Sequence, residues 1–310
     1  MNIFHNIQDF NPDKHTIATL GTFDGVHLGH KKIIERLTQD AKKSNNESLV
    51  LTFFPHPRMV LQGDSEIQLL NTIKEKAELL ECIGLENLII HPFDQSFSQL
   101  SAEEFVKTIL VDRFNIKKIV IGHDHRFGKN RSADIHDLIA YGKKYGFEVE
   151  QISAEEIDEV SISSTKIRKA LASGDIQLAN DYLGYNYFLS GIVVKGRQLG
   201  RTIGFPTANL KIEENYKLIP LDGVYIVKSD LDGKEVFGMM NIGTNPTVDG
   251  KERTIETYFL DFEGDLYDKE IRIHFLHRIR PEEKFDSLDT LKEEIKNDEI
   301  ITRNFIKDLK

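Results

Sequence analysis

The sequence predicts two domains in series: an α/β domain on a mostly parallel sheet, then a smaller β domain that ends in a helix. Three observations carry this. Strand-like and helix-like runs alternate up to about residue 184, as βαβ units do. Beyond Tyr182-Leu183-Gly184 the helical period vanishes, and short β-rich runs separated by turn dipeptides replace it. The last segment, 285–309, regains helical spacing through Leu288, Leu291, Ile295, Ile300 and Ile301. A chain of 310 residues fits about two domains, expected here at 1–184 and 185–310.

In the first domain Ile17, Ala18 and Leu20 form a buried strand that leads straight into a glycine-rich turn. A helix follows with Ile33, Ile34 and Leu37 on one face. Further strands are expected at 48–54, 87–91, 117–122 and 147–152. Helices are expected at 31–44, 72–83, 102–114 and 133–145. Ligands of such sheets bind at the carboxyl ends of strands. In the second domain strands are expected at 188–194, 223–227, 236–242, 253–259 and 270–279. The turns Asp222-Gly223, Asp232-Gly233, Asp249-Gly250 and Glu263-Gly264 separate or flank them. About six short strands with regular turns make a small barrel or a sandwich.

Composition narrows the function. A hydrophobic content of 40% supports real cores and excludes a disordered chain. The net charge of −10 gives no general attraction to nucleic acid or to an anionic membrane, so neither is an expected partner. The single cysteine, Cys82, forms no internal disulfide, which fits a reducing compartment; its helical setting predicts a buried structural thiol. Met1-Asn2-Ile3-Phe4-His5-Asn6 is no signal peptide, and no apolar run is long enough to span a bilayer. A cytoplasmic enzyme is expected.

The richest stretch is Gly21-Thr22-Phe23-Asp24-Gly25-Val26-His27-Leu28-Gly29-His30. Its glycines sit where strand becomes helix, so backbone can approach a ligand closely. A helix N-terminus offers free amides and partial positive charge, which suits phosphate. His27 and His30, three residues apart, share a face and can donate hydrogen bonds to a phosphoryl group as it gains charge. The P-loop closure and the G-x-G-x-x-G spacing are both absent. The stretch resembles the H-x-G-H signature of the nucleotidyltransferase superfamily, in the longer form G-x-F-D-G-x-H-x-G-H. That resemblance implies attack on the α-phosphate of a nucleoside triphosphate and a Rossmann-like sheet.

A second segment, Ile162-Ser163-Ser164-Thr165-Lys166-Ile167-Arg168, opens a short helix ending near Gly174. Capping explains the serines and Gly174. It does not explain Lys166 and Arg168 in a first turn, where the helix dipole disfavours cations; a bound anion would offset that repulsion. With Gly122-His123-Asp124-His125-Arg126-Phe127-Gly128 between them, the segments resemble the N-terminal module of the bacterial bifunctional riboflavin kinase/FMN adenylyltransferase family. The resemblance implies that His27, His30 and Arg168 contact ATP phosphates. It places Gly21, Phe23, Asp24, Gly25, Gly29, Ser163, Ser164 and Thr165 at the same ATP site. Asp124, Arg126 and Phe127 would line the flavin pocket. Phe53-Phe54-Pro55-His56-Pro57 matches the loop after the second strand, with His56 structural.

The second domain carries Gly200-Arg201-Thr202-Ile203-Gly204-Phe205-Pro206-Thr207-Ala208-Asn209-Leu210. Gly200 and Gly204 flank a loop whose backbone could wrap phosphates. Thr207 and Asn209 alternate on a strand, so their side chains point the same way and offer two neutral oxygens suited to Mg²⁺. P-T-A-N resembles the riboflavin kinase module of the same family. The likeness runs on through Asp222-Gly223-Val224-Tyr225, Asn241-Ile242-Gly243 and Thr254-Ile255-Glu256-Thr257. It implies a six-stranded β-barrel with a C-terminal helix. It also implies that Glu256 is the base for the riboflavin 5′-hydroxyl and that Gly200, Gly204, Thr207 and Asn209 hold Mg²⁺ and ATP. The substrates and products implied are riboflavin, FMN, FAD, ATP, ADP and pyrophosphate. Strand alternation puts Ile255, Thr257 and Phe259 on one face and Thr254, Glu256 and Tyr258 on the other. Arg278 and Arg280 are expected as surface charges.

Overall fold

The computed structural model describes residues 1–61, 67–123, 125–153, 162–196, 199–247 and 250–309. The chain divides into two compact units, Met1–Ser164 and Thr165–Lys310.

The first unit is a six-stranded parallel sheet in the order β1-β4-β3-β2-β5-β6. Its strands are β1 (Asn2–Phe4), β2 (Thr16–Leu20), β3 (Glu47–Phe53), β4 (Asn87–His91), β5 (Ile116–Gly122) and β6 (Glu148–Ile152). Leu49, Leu51, Ile119 and Ile121 pack on one face, and Val50, Leu88, Ile90 and Val120 on the other. Burial of both faces explains why these strands read as continuous apolar runs. From β2 the chain builds outward through β3 and β4, then crosses back to place β5 on the other side of β2. The order therefore reverses at the carboxyl ends of β2 and β5, where open α/β sheets bind ligands.

Helix α1 (Leu28–Ser44) starts three residues earlier than its apolar period suggests, because His27 caps it. Asn45, at φ 52°, ends it. The 102–114 run is not one α-helix: α-helical Ala102–Glu104 passes into a π-helical stretch, Phe105–Val111. Strand β1 escaped the reading, since three residues at an edge carry no period. Cys82 is exposed, contrary to expectation. After the short helix α2 (Pro57–Leu61), Ala77 and Leu80 take the buried side of the Cys82 helix, α3 (Ile73–Cys82).

The second unit is a closed antiparallel barrel, not a sandwich, in the order β10-β11-β8-β7-β12-β9. Its strands are β7 (Phe188–Val194), β8 (Ala208–Lys211), β9 (Gly223–Leu231), β10 (Lys234–Thr247), β11 (Gly250–Phe259) and β12 (Glu270–Arg280), followed by the helix Leu288–Asp308. Asp232 and Gly233, at φ 54° and 79°, form the two-residue turn between β9 and β10. Asp249, the expected partner of Gly250 in another turn, lies outside the described residues. The helix Ile176–Leu183 is fastened to the barrel: Asn180 accepts from the Tyr187 amide at 2.7 Å and donates to the Phe275 carbonyl at 3.0 Å.

Arg278 and Arg280 are not surface charges. Arg280 makes a forked pair with buried Asp298 on the C-terminal helix, at 3.0 and 2.9 Å. Burial pushes the Asp298 carboxyl up, and the Arg280 guanidinium opposes that shift. The Arg278 stem lies over Gly174, and its Nη2 donates to the Asp222 carbonyl at 3.1 Å. Two bulges in β12 accompany these inward placements.

Candidate active sites

The first candidate site grows from the end of β2. The Gly21 amide donates to the Leu51 carbonyl at 3.0 Å, so the chain is still registered on β3 as it leaves the sheet. Three residues then enter the left-handed region: Phe23 at φ 44°, Gly25 at 89° and Val26 at 37°. Such backbone costs about 1–3 kcal/mol at each non-glycine position and persists where the surroundings over-determine it. Here Phe23 and Val26 are buried, and Asp24 Oδ1 accepts from the Leu70 amide at 2.9 Å. The Thr22 carbonyl accepts from Thr52 Oγ1 at 3.2 Å and from Lys76 Nζ at 2.7 Å.

This turn delivers the two histidines. His27 Nδ1 accepts from the His30 amide at 3.4 Å, which leaves the His27 proton on Nε2 as a donor. The rings stack at 3.6 Å and 19°, and Phe23 meets His30 edge-on at 5.1 Å. Burial lowers the His27 pKa to about 4. Burial, then the His27 and Lys76 charges, hold His30 well below the usual imidazole range. Both are therefore neutral at pH 7 and offer N–H donors rather than positive charge. His30 Nδ1 is buried with no partner.

Ser164 reaches the same turn: its Oγ donates to the Asp24 carbonyl at 2.9 Å. Ser163 immediately precedes it, and Gly29 is buried in the first turn of α1. Thr165, Lys166 and Arg168 follow on the helix Ser164–Ser173, within the second unit. The loop after β5 also opens beside β2. There Phe127 is buried, its ring 6.1 Å from Phe105, so it serves the core. His125 stacks on it at 6.1 Å, and Arg126 is exposed. Asp124 lies outside the described residues. His56 Nδ1 accepts from the Arg58 amide at 3.1 Å and so shapes its own loop.

The second candidate site joins β8 to β11. Asn209 and Glu256 are register partners, and Thr207 Oγ1 donates to Glu256 Oε2 at 3.0 Å. Ile255, Thr257 and Phe259 are buried while Glu256 is half-buried, which is the alternation read from sequence. A Cβ on Gly196 would lie 2.4 Å from the Asn209 side chain, and one on Gly200 would lie 2.2 Å from the Phe205 carbonyl. Close approach to backbone thus requires glycine at 200, whereas a side chain at 196 would have to displace the Asn209 amide. Gly204, at φ 90°, is needed for its backbone instead.

Beside Thr207 lies a cavity of about 470 Å³ whose lining includes Arg201, Thr257, Phe259, Asp265 and Tyr267. Sequence reasoning missed these residues as lining. The Thr257 hydroxyl is buried there with no partner, and only strand alternation hinted that it faces inward. The donors at this site are oxygens: the Thr207 hydroxyl, the Asn209 amide and the Glu256 carboxylate. That hard set fits Mg²⁺, which takes few protein ligands and keeps water.

A family model described as FAD synthetase matches residues 9–166, and one described as riboflavin kinase matches residues 183–306. A bifunctional riboflavin kinase/FMN adenylyltransferase of Haemophilus influenzae is 39% identical, over 90% of this chain and 91% of its own. The enzyme of that name from Escherichia coli K12 is 37% identical over 97% and 96%. That from Listeria monocytogenes is 38% identical over 94% and 93%. A crystal structure described as a macrolide-efflux protein from Streptococcus pneumoniae superposes with a TM-score of 0.89, at 33% identity over 98% of both chains.

Proposed function

The chain belongs to the bifunctional riboflavin kinase/FMN adenylyltransferase family, and on that premise we propose which residues perform each of its two reactions. It is a transferase that phosphorylates riboflavin to FMN and adenylylates FMN to FAD, with ATP as co-substrate in both steps.

For the kinase step, the contact that carries our assignment is the Thr207–Glu256 hydrogen bond of 3.0 Å, with Asn209 opposite Glu256. Glu256 accepts the proton of the riboflavin 5′-hydroxyl as its oxygen bonds to the γ-phosphorus, and ADP leaves. Thr207 and Asn209 would hold Mg²⁺, which would supply positive charge to neutralise the phosphates. The backbone around Gly200 and Gly204 wraps the phosphates.

For the adenylyl step, an FMN phosphate oxygen attacks the α-phosphorus of ATP and pyrophosphate leaves, so no protein nucleophile is needed. His27 and His30 donate hydrogen bonds to the charge that develops on the triphosphate. Gly21, Phe23, Asp24, Gly25 and Gly29 shape this ATP site, and Ser163, Ser164 and Thr165 complete it. Arg168 joins it on its motif alone, and so do Asp124 and Arg126 as flavin contacts; Phe127, given to the same pocket by its motif, packs in the core beside Phe105. We place the enzyme in the cytoplasm with no nucleic-acid or membrane partner. Its net charge and single cysteine support this. No described helix is long and apolar enough to cross a membrane.

Chelation tests the metal assignment. Excess EDTA is expected to stop FMN formation and added Mg²⁺ to restore it; undiminished turnover in EDTA would remove Thr207 and Asn209 from that role. We set the boundary between catalytic domains at residue 185, which the kinase family match from residue 183 supports. A fragment of residues 185–310 is expected to phosphorylate riboflavin. One of residues 165–310 should melt at least about 10 °C higher, because Leu171, Ile176 and Leu183 are buried and each contributes about 1.5–3 kcal/mol. Equal melting temperatures would show that these helices add nothing to the barrel.

A further inference from the structure

Lys76 lies on α3, some fifty residues from the glycine-rich turn, and no motif marks it. It is nonetheless 3% exposed, and its Nζ donates to the Thr22 carbonyl at 2.7 Å. A buried ammonium is retained only where partners compensate its lost hydration. Its partners here are all parts of the adenylyl site: the Thr22 carbonyl, the Asp24 carboxylate, whose charge favours the ammonium, and the His30 ring, which feels its charge. Packing of α3 is served by Ala77 and Leu80. An apolar residue would fill the Lys76 position without needing those partners.

We propose that Lys76 is a positioning residue for adenylyl transfer: its buried ammonium pins the Thr22 carbonyl, and with it the strained turn that aims His27 and His30, and it sets a positive charge close behind the histidine pair. This rests on the assignment of that pair to the triphosphate of ATP. A charge in a desolvated site acts more strongly on developing negative charge than one in water. It also disfavours protonation of His30, so both imidazoles remain neutral donors.

The ammonium itself has a working range. Burial lowers its pKa to about 8, while Asp24 opposes that shift. Among the described residues, the other titratable groups at the cluster are His27 at the start of α1 and His30 on it, and the Thr52 hydroxyl reaches the shared carbonyl from β3. The lysine is charged below about pH 8 and neutral above it. FAD formation should therefore be complete below that pH and fall as pH rises through it, whereas FMN formation should show no such limb.

The test uses the full chain and three variants, with FMN formation assayed in each preparation. Lys76→Met is expected to lower kcat for FAD formation about 100-fold, with KM for ATP within about threefold of wild type, and to abolish the limb near pH 8. Thr52→Val removes the other hydrogen bond to the Thr22 carbonyl but no charge. It should cost less than about tenfold and keep the limb. FAD formation by Lys76→Met within threefold of wild type would overturn the proposal, as would a Thr52→Val variant matching it in rate and pH profile. Should Lys76→Met fail to fold, the wild-type profiles decide: a limb near pH 8 in FAD formation alone supports the proposal, and a flat profile overturns it. His30→Ala separates the underlying reading. Undiminished FAD formation in that variant would remove the histidine pair from the site, whatever Lys76 does.

Discussion

Replacing Glu256 by glutamine lowers FMN formation by about two to four orders of magnitude, the range for loss of a general base. FAD formation from supplied FMN stays within about twofold of wild type. Glutamine keeps the size of the side chain and can still accept from Thr207, so the hydrogen bond of 3.0 Å survives while the basic oxygen is lost. Glu256 is half-buried on a strand whose opposite face fills the barrel core, so the substitution leaves Ile255, Thr257 and Phe259 packed as before. Initial rates at saturating riboflavin and ATP are the measurement. FMN formation near the wild-type rate would take the base assignment away from Glu256.

His30→Ala has the converse effect. It removes one donor to the triphosphate and the stacking partner of His27, 3.6 Å away. Loss of one preorganised donor typically costs about 100- to 1000-fold in kcat. Loss of the stack adds freedom to His27, whose Nδ1 is held only by a long bond of 3.4 Å to the His30 amide. FAD formation should fall by at least about 100-fold, with FMN formation unchanged. Because His27 titrates near pH 4 and His30 well below the imidazole range, wild-type FAD formation should show no histidine limb between pH 6 and 8. Retained FAD formation in the variant would contradict the assignment.

Much of this was legible in the sequence, and the reasons are local. The runs at 87–91 and 188–194 match β4 and β7 residue for residue, because buried apolar runs end at polar or turn residues. Asp232-Gly233 marked its hairpin through the left-handed backbone the turn requires. Thr207, Asn209 and Glu256 could each be singled out, but only the β8–β11 register explains why they meet. What escaped depended on tertiary context. The buried side of α3 excludes Cys82, a fact fixed by how the helix rotates against the sheet. Arg278 and Arg280 look like surface charges until Asp298 and the Gly174 backbone arrive from distant sequence. Lys76 carries no local signal, since its partners Thr22, Asp24 and His30 lie about fifty residues upstream. Phe127 sits in a loop motif, yet its ring belongs to the core around Phe105.

Two separate pockets on one chain, each breaking a different bond of ATP, make a demand that labelled nucleotide can meet. Riboflavin is incubated with ATP carrying isotope at the γ- or the α-phosphate, and FMN and FAD are separated over time. The γ label should enter FMN first and FAD later, while the α label should enter FAD alone. In His30→Ala the γ label should stop at FMN; in Glu256→Gln supplied with FMN, the α label should still reach FAD. Alpha label in FMN, or one variant silencing both transfers in well-folded protein, would contradict two independent sites.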